Sequence, residues 1–383
     1  MRLALDATPL LGARTGVGTF VAGALDALSV RPEMTVTAYA LSWRGRTTLR
    51  EVLPAGVTSG WAVPAGPLLR LWAHSGLVPA EWIADAEDGI EVVHGTNFVV
   101  PPTRRAARVV TVHDLTCVRF PELCTPTSLR YPALIRRAIR GGAFVHTPSA
   151  HVAAEVCEAF DADPERVVAV HHGLGVPGDD DAGGEPGATA ADGLRLAQAL
   201  TGGGVERYVL ALGTVEPRKD FALLVRAFDR IAAGRPDVGL IIAGPDGWGG
   251  ELLEQALGAA RHRTRIGRAG YVDGPTRIGL LAGATVFAFP SVYEGFGLPP
   301  LEAMAAGVPV VATATGAVSE VTGGLATLVD VGDEEGLADA MAAVLDHQPD
   351  DQIVAARAHA ASFTWTRCAT GLASLYRRAA ADR

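Results

Sequence analysis

Two carboxylates, Glu294 and Glu302, bracket a loop suited to receiving an anion. They lie in P-S-V-Y-E-G-F-G-L-P-P-L-E-A-M-A-A-G, residues 290–307, where a strand-like run from Val286 to Phe289 leads into a glycine-broken turn. Pro299 and Pro300 then open a short helix, because the first helical turn has no intrahelical use for the amide hydrogen that proline lacks, and Gly307 ends it. The peptide nitrogens of Phe296, Gly297 and Leu298 are thereby expected at the positive end of a helix dipole, where a phosphate or a sugar hydroxyl oxygen is favoured. Carboxylates beside such a concavity suit a ligand that carries both hydroxyls and phosphates. A second signal is Lys219, the single lysine in a chain where lysine and arginine together number 33. Richness in alanine, glycine and arginine points to a genome that drives lysine out, so a retained lysine marks a position where a compact ammonium serves. Histidines end two strand-like runs, in His94-Gly95-Thr96-Asn97 and His113-Asp114, where ligands of parallel α/β sheets collect.

The Glu294-to-Glu302 stretch, continued by V-P-V-V, resembles the donor-site signature of the retaining glycosyltransferases of family four, which have the GT-B fold. The resemblance implies that Glu294 reaches the donor sugar and Glu302 the nucleotide ribose, with the backbone of Phe296, Gly297 and Leu298 beside them. G-T-V-E-P-R-K-D, residues 213–220, is similar to the family's E-P-R-K-N stretch with Asp220 in place of asparagine, two residues that cap a helix equally well; it implies donor-site roles for Gly213, Arg218 and Lys219. Gly270-Tyr271-Val272 resembles the base-contacting segment, which adds Tyr271 and Val272. Gly16-Val17-Gly18 is not a dinucleotide fingerprint, since Val21 stands where the third glycine would fall. The family nonetheless has a diphosphate-facing glycine loop there, which makes Gly16 and Gly18 candidates. T-V-H-D-L around His113 is similar to the family segment whose histidine lies near the donor sugar or the transferred hydroxyl, so His113 is kept as a site residue. For His94 a buried structural role is expected.

The implied fold class is α/β, GT-B, with two doubly wound Rossmann-like domains facing a central cleft. The implied activity is transfer of a hexosyl group from a nucleotide-diphosphate sugar, GDP-mannose first and a UDP-sugar next, to a hydroxyl of a glycan, lipid-linked or natural-product acceptor. The leaving diphosphate gathers negative charge, which Arg218, Lys219 and the helix N-terminus before Leu301 would meet with charge-assisted bonds of about 1.5–3 kcal/mol each. No metal or other cofactor is expected. Front-face attack, with the leaving phosphate taking the acceptor's proton, needs no enzymic nucleophile and retains configuration. Inversion would require a general base, a part open to His113 or Asp114. Other classes stay open: a phosphorylase-like enzyme with Lys219 as its Schiff-base lysine, a nucleotide-sugar epimerase or hydrolase of the same fold, and a non-catalytic sugar-nucleotide binder. Lys219 is expected to face solvent, so that its loss lowers turnover with little change in stability.

Stepwise alternation of strands and helices supplies the scaffold. Strands are expected near Arg2–Ala7, 34–40, 57–63, 90–94, 108–112, 143–147 and 167–171, then near 207–212, 238–243, 265–271, 285–289, 308–312 and 326–330, with amphipathic helices between many of them. The glycine-, aspartate- and proline-rich region around G-D-D-D-A-G-G-E-P-G reads as a linker, which gives an acceptor domain over 1–177, a linker over 178–205, a donor domain over 206–362 and a closing helix over 363–383 that crosses back to the first domain. Asp179 and Asp181 form an Asp-x-Asp that is expected to be an acidic turn and not a metal site.

The bulk properties fit a two-domain soluble protein of 383 residues, 49% hydrophobic and 20% charged. A net charge of −9 argues against a nucleic-acid partner. Four cysteines without metal spacing are expected as reduced thiols. The N-terminus lacks a signal-peptide hydrophobic region and no long apolar run occurs, which predicts a cytoplasmic protein. The helical stretch from Pro126 to Arg140 carries Arg130, Arg136, Arg137 and Arg140. These form a solvated face or a contact with an anionic membrane surface.

Overall fold

The alternating strands assemble into two all-parallel sheets in the computed structural model, which describes residues 1–383 except 13–14, 43–44, 63–65, 67, 69–71, 73–78, 81–88, 176–187, 348–349 and 383. Unit 1 comprises Met1–Gly173 and Phe363–Arg383, and unit 2 Leu174–Ser362. In unit 1, β1 (Arg2–Asp6), β2 (Thr35–Ala40), β3 (Thr58–Ala62), β4 (Val92–Gly95), β5 (Ala107–Thr111), β6 (Phe144–Thr147) and β7 (Val167–Ala169) lie in the order 3-2-1-4-5-6-7. In unit 2, β8 (Arg207–Leu212), β9 (Val238–Ala243), β10 (Ile266–Gly270), β11 (Val286–Phe289), β12 (Val310–Thr313) and β13 (Thr327–Val329) lie in the order 10-9-8-11-12-13. Each order reverses once, between β1 and β4 and between β8 and β11, and it is outside the carboxyl ends at such a reversal that doubly wound sheets bind ligands.

Central parallel strands are covered on both faces, so they read as continuous apolar runs. All six residues of Val238–Ala243, V-G-L-I-I-A, are buried. In unit 2 the helix Phe221–Ala232 turns Leu224, Val225, Ala227 and Phe228 onto that sheet. In unit 1 the helix Gly16–Ser29 contributes Phe20, Val21, Ala24 and Leu25, packed with Cys368, Leu372 and Tyr376 of the closing helix Trp365–Ala381.

The region expected as linker departs from expectation in part. Asp179 and Asp181 lie outside the described residues. Further on, Ala190–Leu200 is a helix, opened by a capping box in which Thr189 and Asp192 satisfy each other's backbone. Its Gly193 is a contact residue: a Cβ there would meet the Gly279 carbonyl oxygen at 2.0 Å. Glycine that reads as flexibility in a sequence thus serves here as the gap through which two helices approach. The arginine-rich stretch begins as a 3₁₀ turn, Ser128–Arg130, followed by the helix Tyr131–Arg140, whose buried positions are Ile135 and Ala138. The Arg136 guanidinium lies 5.5 Å from the Phe160 ring centroid. None of the four cysteines is in a disulfide. Among the described residues no helix is long and apolar enough to cross a membrane.

A buried polar relay ties the closing helix into unit 1. His146 Nε2 is 3.1 Å from the Val170 carbonyl, an oxygen that only accepts, so Nε2 carries the proton. His146 Nδ1 therefore accepts from Thr111 Oγ1 at 2.9 Å, and that hydroxyl in turn accepts from His94 Nε2 at 2.7 Å. His94 Nδ1 is left to accept from the Tyr376 hydroxyl at 2.7 Å. Burial holds both imidazoles neutral by lowering their pKa values, that of His146 to about 3. One carbonyl thus sets the direction of every hydrogen bond up to Tyr376. Tyr376→Phe removes only the terminal donor and leaves His94 Nδ1 as an unpaired buried acceptor. Urea titration at neutral pH should show a loss of about 1–3 kcal/mol; an unchanged midpoint would contradict the relay.

Candidate active site

The loops that follow β8 and β11 flank the reversal point of the second sheet, and a buried ion pair joins them. Residues Pro217–Lys219 form a 3₁₀ turn, after which Asp220, with φ +43°, caps the next helix by accepting from Leu223 N at 3.1 Å. Across the reversal, Val292 N donates to the Arg218 carbonyl at 2.8 Å. Lys219 Nζ then lies 2.6 Å from Glu294 Oε1, and Arg218 Nη1 lies 2.7 Å from Glu294 Oε2. Arg218 is itself held by Glu216 Oε1 at 2.5 Å and by the Tyr293 carbonyl at 2.9 Å.

Contrary to expectation, Lys219 does not face solvent: only 7% of it is exposed, the same fraction as Glu294. Its ammonium sits 4.8 Å from the Phe289 ring centroid, and its stem lies against Gly213, where a Cβ would stand 3.3 Å from Lys219 Cε. Burial by itself would raise the Glu294 pKa. The charges of Arg218 and Lys219, with the hydrogen bond from Lys219, overcome that and lower it to about 2. For Lys219 burial prevails, and with the like charge of Arg218 it lowers the pKa against the opposing pull of Glu294.

The β11 loop is fastened from its other side by residues that the sequence reading did not single out. Thr313 Oγ1 donates to the Ser291 carbonyl, Thr315 Oγ1 to the Val292 carbonyl at 2.6 Å, and Ala317 N to the Glu294 carbonyl at 2.9 Å. Gly316 has φ +52°, and a Cβ there would stand 2.1 Å from the Glu294 carbonyl oxygen. The available signal was T-A-T-G directly after an apolar strand. The helix Leu298–Ala306 starts at Gly297, with φ +104°, and carries its prolines in the first turn, which brings Phe296, Gly297 and Leu298 to its N-terminal end. Glu302, however, pairs with Arg277 of the helix Gly274–Gly283 and not with the Lys219 cluster. Tyr271, just past β10, is 62% exposed, and Val272 beside it is half-buried.

Gly16, Gly18 and His113 belong to unit 1. Gly16 and Gly18 form the first turn of the helix Gly16–Ser29, and neither has a positive φ. His113 is buried beyond β5, with Nε2–H donating to the Thr96 carbonyl at 2.7 Å. Burial lowers its pKa, although Thr96 and Asp114 oppose this. Asp114 Oδ1 accepts from Thr116 N at 2.9 Å. Asp6, also missed, ends β1 as a buried carboxylate that accepts from Thr8 N at 2.9 Å and from Thr8 Oγ1 at 2.5 Å. Burial raises its pKa to about 6 despite those bonds. Among the described residues no group of three or more His, Cys, Asp or Glu could hold a metal ion.

Residues 206–347 match the family model described as "Glycosyl transferases group 1". The O-antigen chain mannosyltransferase B of Escherichia coli is 30% identical over 300 residues, a match that covers 75% of this chain and 74% of that protein. The chain belongs to the group 1 glycosyltransferases. The D-inositol 3-phosphate glycosyltransferase of Mycobacteroides abscessus is 35% identical over 242 residues, 60% of this chain and 50% of that protein. Among solved structures, Anabaena HepE in complex with UDP-glucose aligns with a TM-score of 0.72 at 20% identity, over 99% of this chain and 100% of that one. The fold of this group 1 glycosyltransferase is accordingly GT-B, and the buried Lys219–Glu294 pair lies within the segment matched by the family model.

The burial of Lys219 changes what its removal should do. In this glycosyltransferase Lys219→Ala strips one partner from a buried pair, so chemical denaturation should show a loss of about 3 kcal/mol, against less than about 0.5 kcal/mol for an exposed lysine. The lowered pKa of Glu294 sets the pH dependence. Its contribution is complete above the ordinary carboxyl value of 4.5 and is lost as pH falls toward about 2. The stability gap between wild type and variant should therefore narrow on going from about pH 5 to about pH 3; a constant gap would contradict the pairing.

Proposed function

We propose that the protein transfers a hexosyl group from a nucleotide-diphosphate sugar to an acceptor hydroxyl, with retention of anomeric configuration and without a metal. The observation that carries this is the Lys219–Glu294–Arg218 cluster at the reversal of the second sheet, next to the N-terminus of the helix Leu298–Ala306. Lys219 Nζ gives one hydrogen to Glu294 and has two further N–H groups, which suits contact with diphosphate oxygens as charge grows on the leaving group. Glu294, kept ionised by its two cationic neighbours, accepts hydrogen bonds from hydroxyls of the donor sugar. The backbone amides of Phe296, Gly297 and Leu298 add the helix-end partial charge. Tyr271 offers an exposed ring for stacking a base.

Retention follows if the leaving phosphate takes the acceptor's proton on the front face. The depressed basicity of His113 supports this over a histidine-catalysed inversion, since a general base works best with a pKa near the working pH. GDP-mannose is the first donor to test, in line with the mannosyltransferase named among the relatives, and UDP-sugars are next, in line with the UDP-glucose complex of HepE. The acceptor is a glycan end, a lipid-linked glycan or a hydroxylated natural product. A cytoplasmic location is proposed with it, and a peripheral contact of Arg130, Arg136, Arg137 and Arg140 with an anionic membrane would bring a lipid-linked acceptor within reach.

Purified protein should turn over one of these donors in excess EDTA, and proton NMR of the product should show the donor's anomeric configuration. Loss of activity restored by magnesium or manganese, or an inverted linkage, would overturn the mechanism. Lys219→Ala, assayed at saturating donor, should lower turnover by about a hundredfold or more. Near-normal turnover would remove the diphosphate from Lys219.

A further inference from the structure

Glu302 is expected to hold the ribose of the donor, yet a glutamate on a helix surface has three rotatable side-chain bonds. Something must aim it. Its Oε2 is paired with Arg277 Nη2, while Oε1 has no hydrogen-bond partner among the described residues. The two helices involved, Gly274–Gly283 and Leu298–Ala306, follow β10 and β11, so both begin at the carboxyl edge of the second sheet. Arg277 is the fourth residue of its helix, close to an N-terminus whose dipole disfavours a cation. The nearer carboxylate, Asp273, is already committed as the helix cap, accepting from Thr276 N at 2.9 Å. Arg277 instead reaches across to the neighbouring helix, and the two side chains keep 37% and 22% of their surface exposed, open enough for a ligand to reach the free oxygen.

We propose that Arg277 is a positioning residue, which fixes the Glu302 carboxylate so that Oε1 and the remaining lone pairs of Oε2 face the ribose diol of the nucleotide. This rests on the donor-site role of Glu302 in the function proposed above. A carboxylate accepts about four hydrogen bonds in all, so the pairing with Arg277 leaves capacity for both ribose hydroxyls. Ordering the side chain before the donor arrives reduces the entropy lost on binding. The effect belongs to donor affinity and not to chemistry at the anomeric carbon.

The test compares GDP with 2′-deoxy-GDP, and UDP with 2′-deoxy-UDP, by isothermal titration calorimetry on the full chain. Wild type should bind the better ribonucleotide about tenfold more tightly than its deoxy counterpart. Arg277→Met should weaken the ribonucleotide by a similar factor and bind the two forms alike, with kcat at saturating donor kept within about twofold. Arg277→Lys should recover part of the discrimination, because the charge returns without the planar fork. A thermal melt of each variant close to wild type shows that folding is intact. Discrimination by Arg277→Met as strong as that of wild type overturns the role of Arg277 while sparing that of Glu302. Equal binding of both nucleotide forms by wild type, or binding of neither, sinks the ribose role of Glu302 and the inference with it.

Discussion

A buried carboxylate tolerates its charge only where cations stand against it, and Glu294 is the group on which the second sheet's site depends. Desolvation works to neutralise it; Arg218 and Lys219 keep it ionised. The cluster joins the loop after β8 to the loop after β11, two segments 75 residues apart in sequence, across the strands where the order reverses. A functional charge is thereby also a structural bond. The loop leading into the helix Leu298–Ala306 is fixed by Arg218 on one side and by Thr313, Thr315 and Gly316 on the other. The amides at the helix start inherit that order.

Much of this was legible in the sequence because it follows from local rules. Apolar runs at regular spacing gave the parallel strands, and the proline pair with Gly307 gave the helix bounds. Family resemblance in the two charged stretches drew attention to Lys219 and Glu294. What the sequence could not convey was the depth of those side chains. Lysine and glutamate are ordinarily exposed, and only a neighbour distant in sequence reverses that expectation. Lys219 is buried because Phe289 and Gly213 cover its stem and head while Glu294 accepts its hydrogen bond.

The other departures have the same origin. Gly193 reads as a flexible residue, yet it marks the close approach of Ala190–Leu200 to the Gly279 backbone. The Glu302 side chain reads as a free ligand, yet it is half claimed by Arg277 from a helix more than twenty residues earlier, at a sequence separation of 25. Asp6 gave no signal at all, since one aspartate at the end of a strand has the look of a turn residue until its burial is known.

The central claim is that Glu294 stays ionised inside unit 2 because Lys219 and Arg218 surround it. Its side-chain carboxyl carbon, labelled with carbon-13 and followed by NMR through an acid titration of the folded protein, reports this directly. The account predicts no titration of that resonance down to about pH 3, in keeping with a pKa lowered to about 2. A midpoint at or above the ordinary value of 4.5 while the protein remains folded would contradict it.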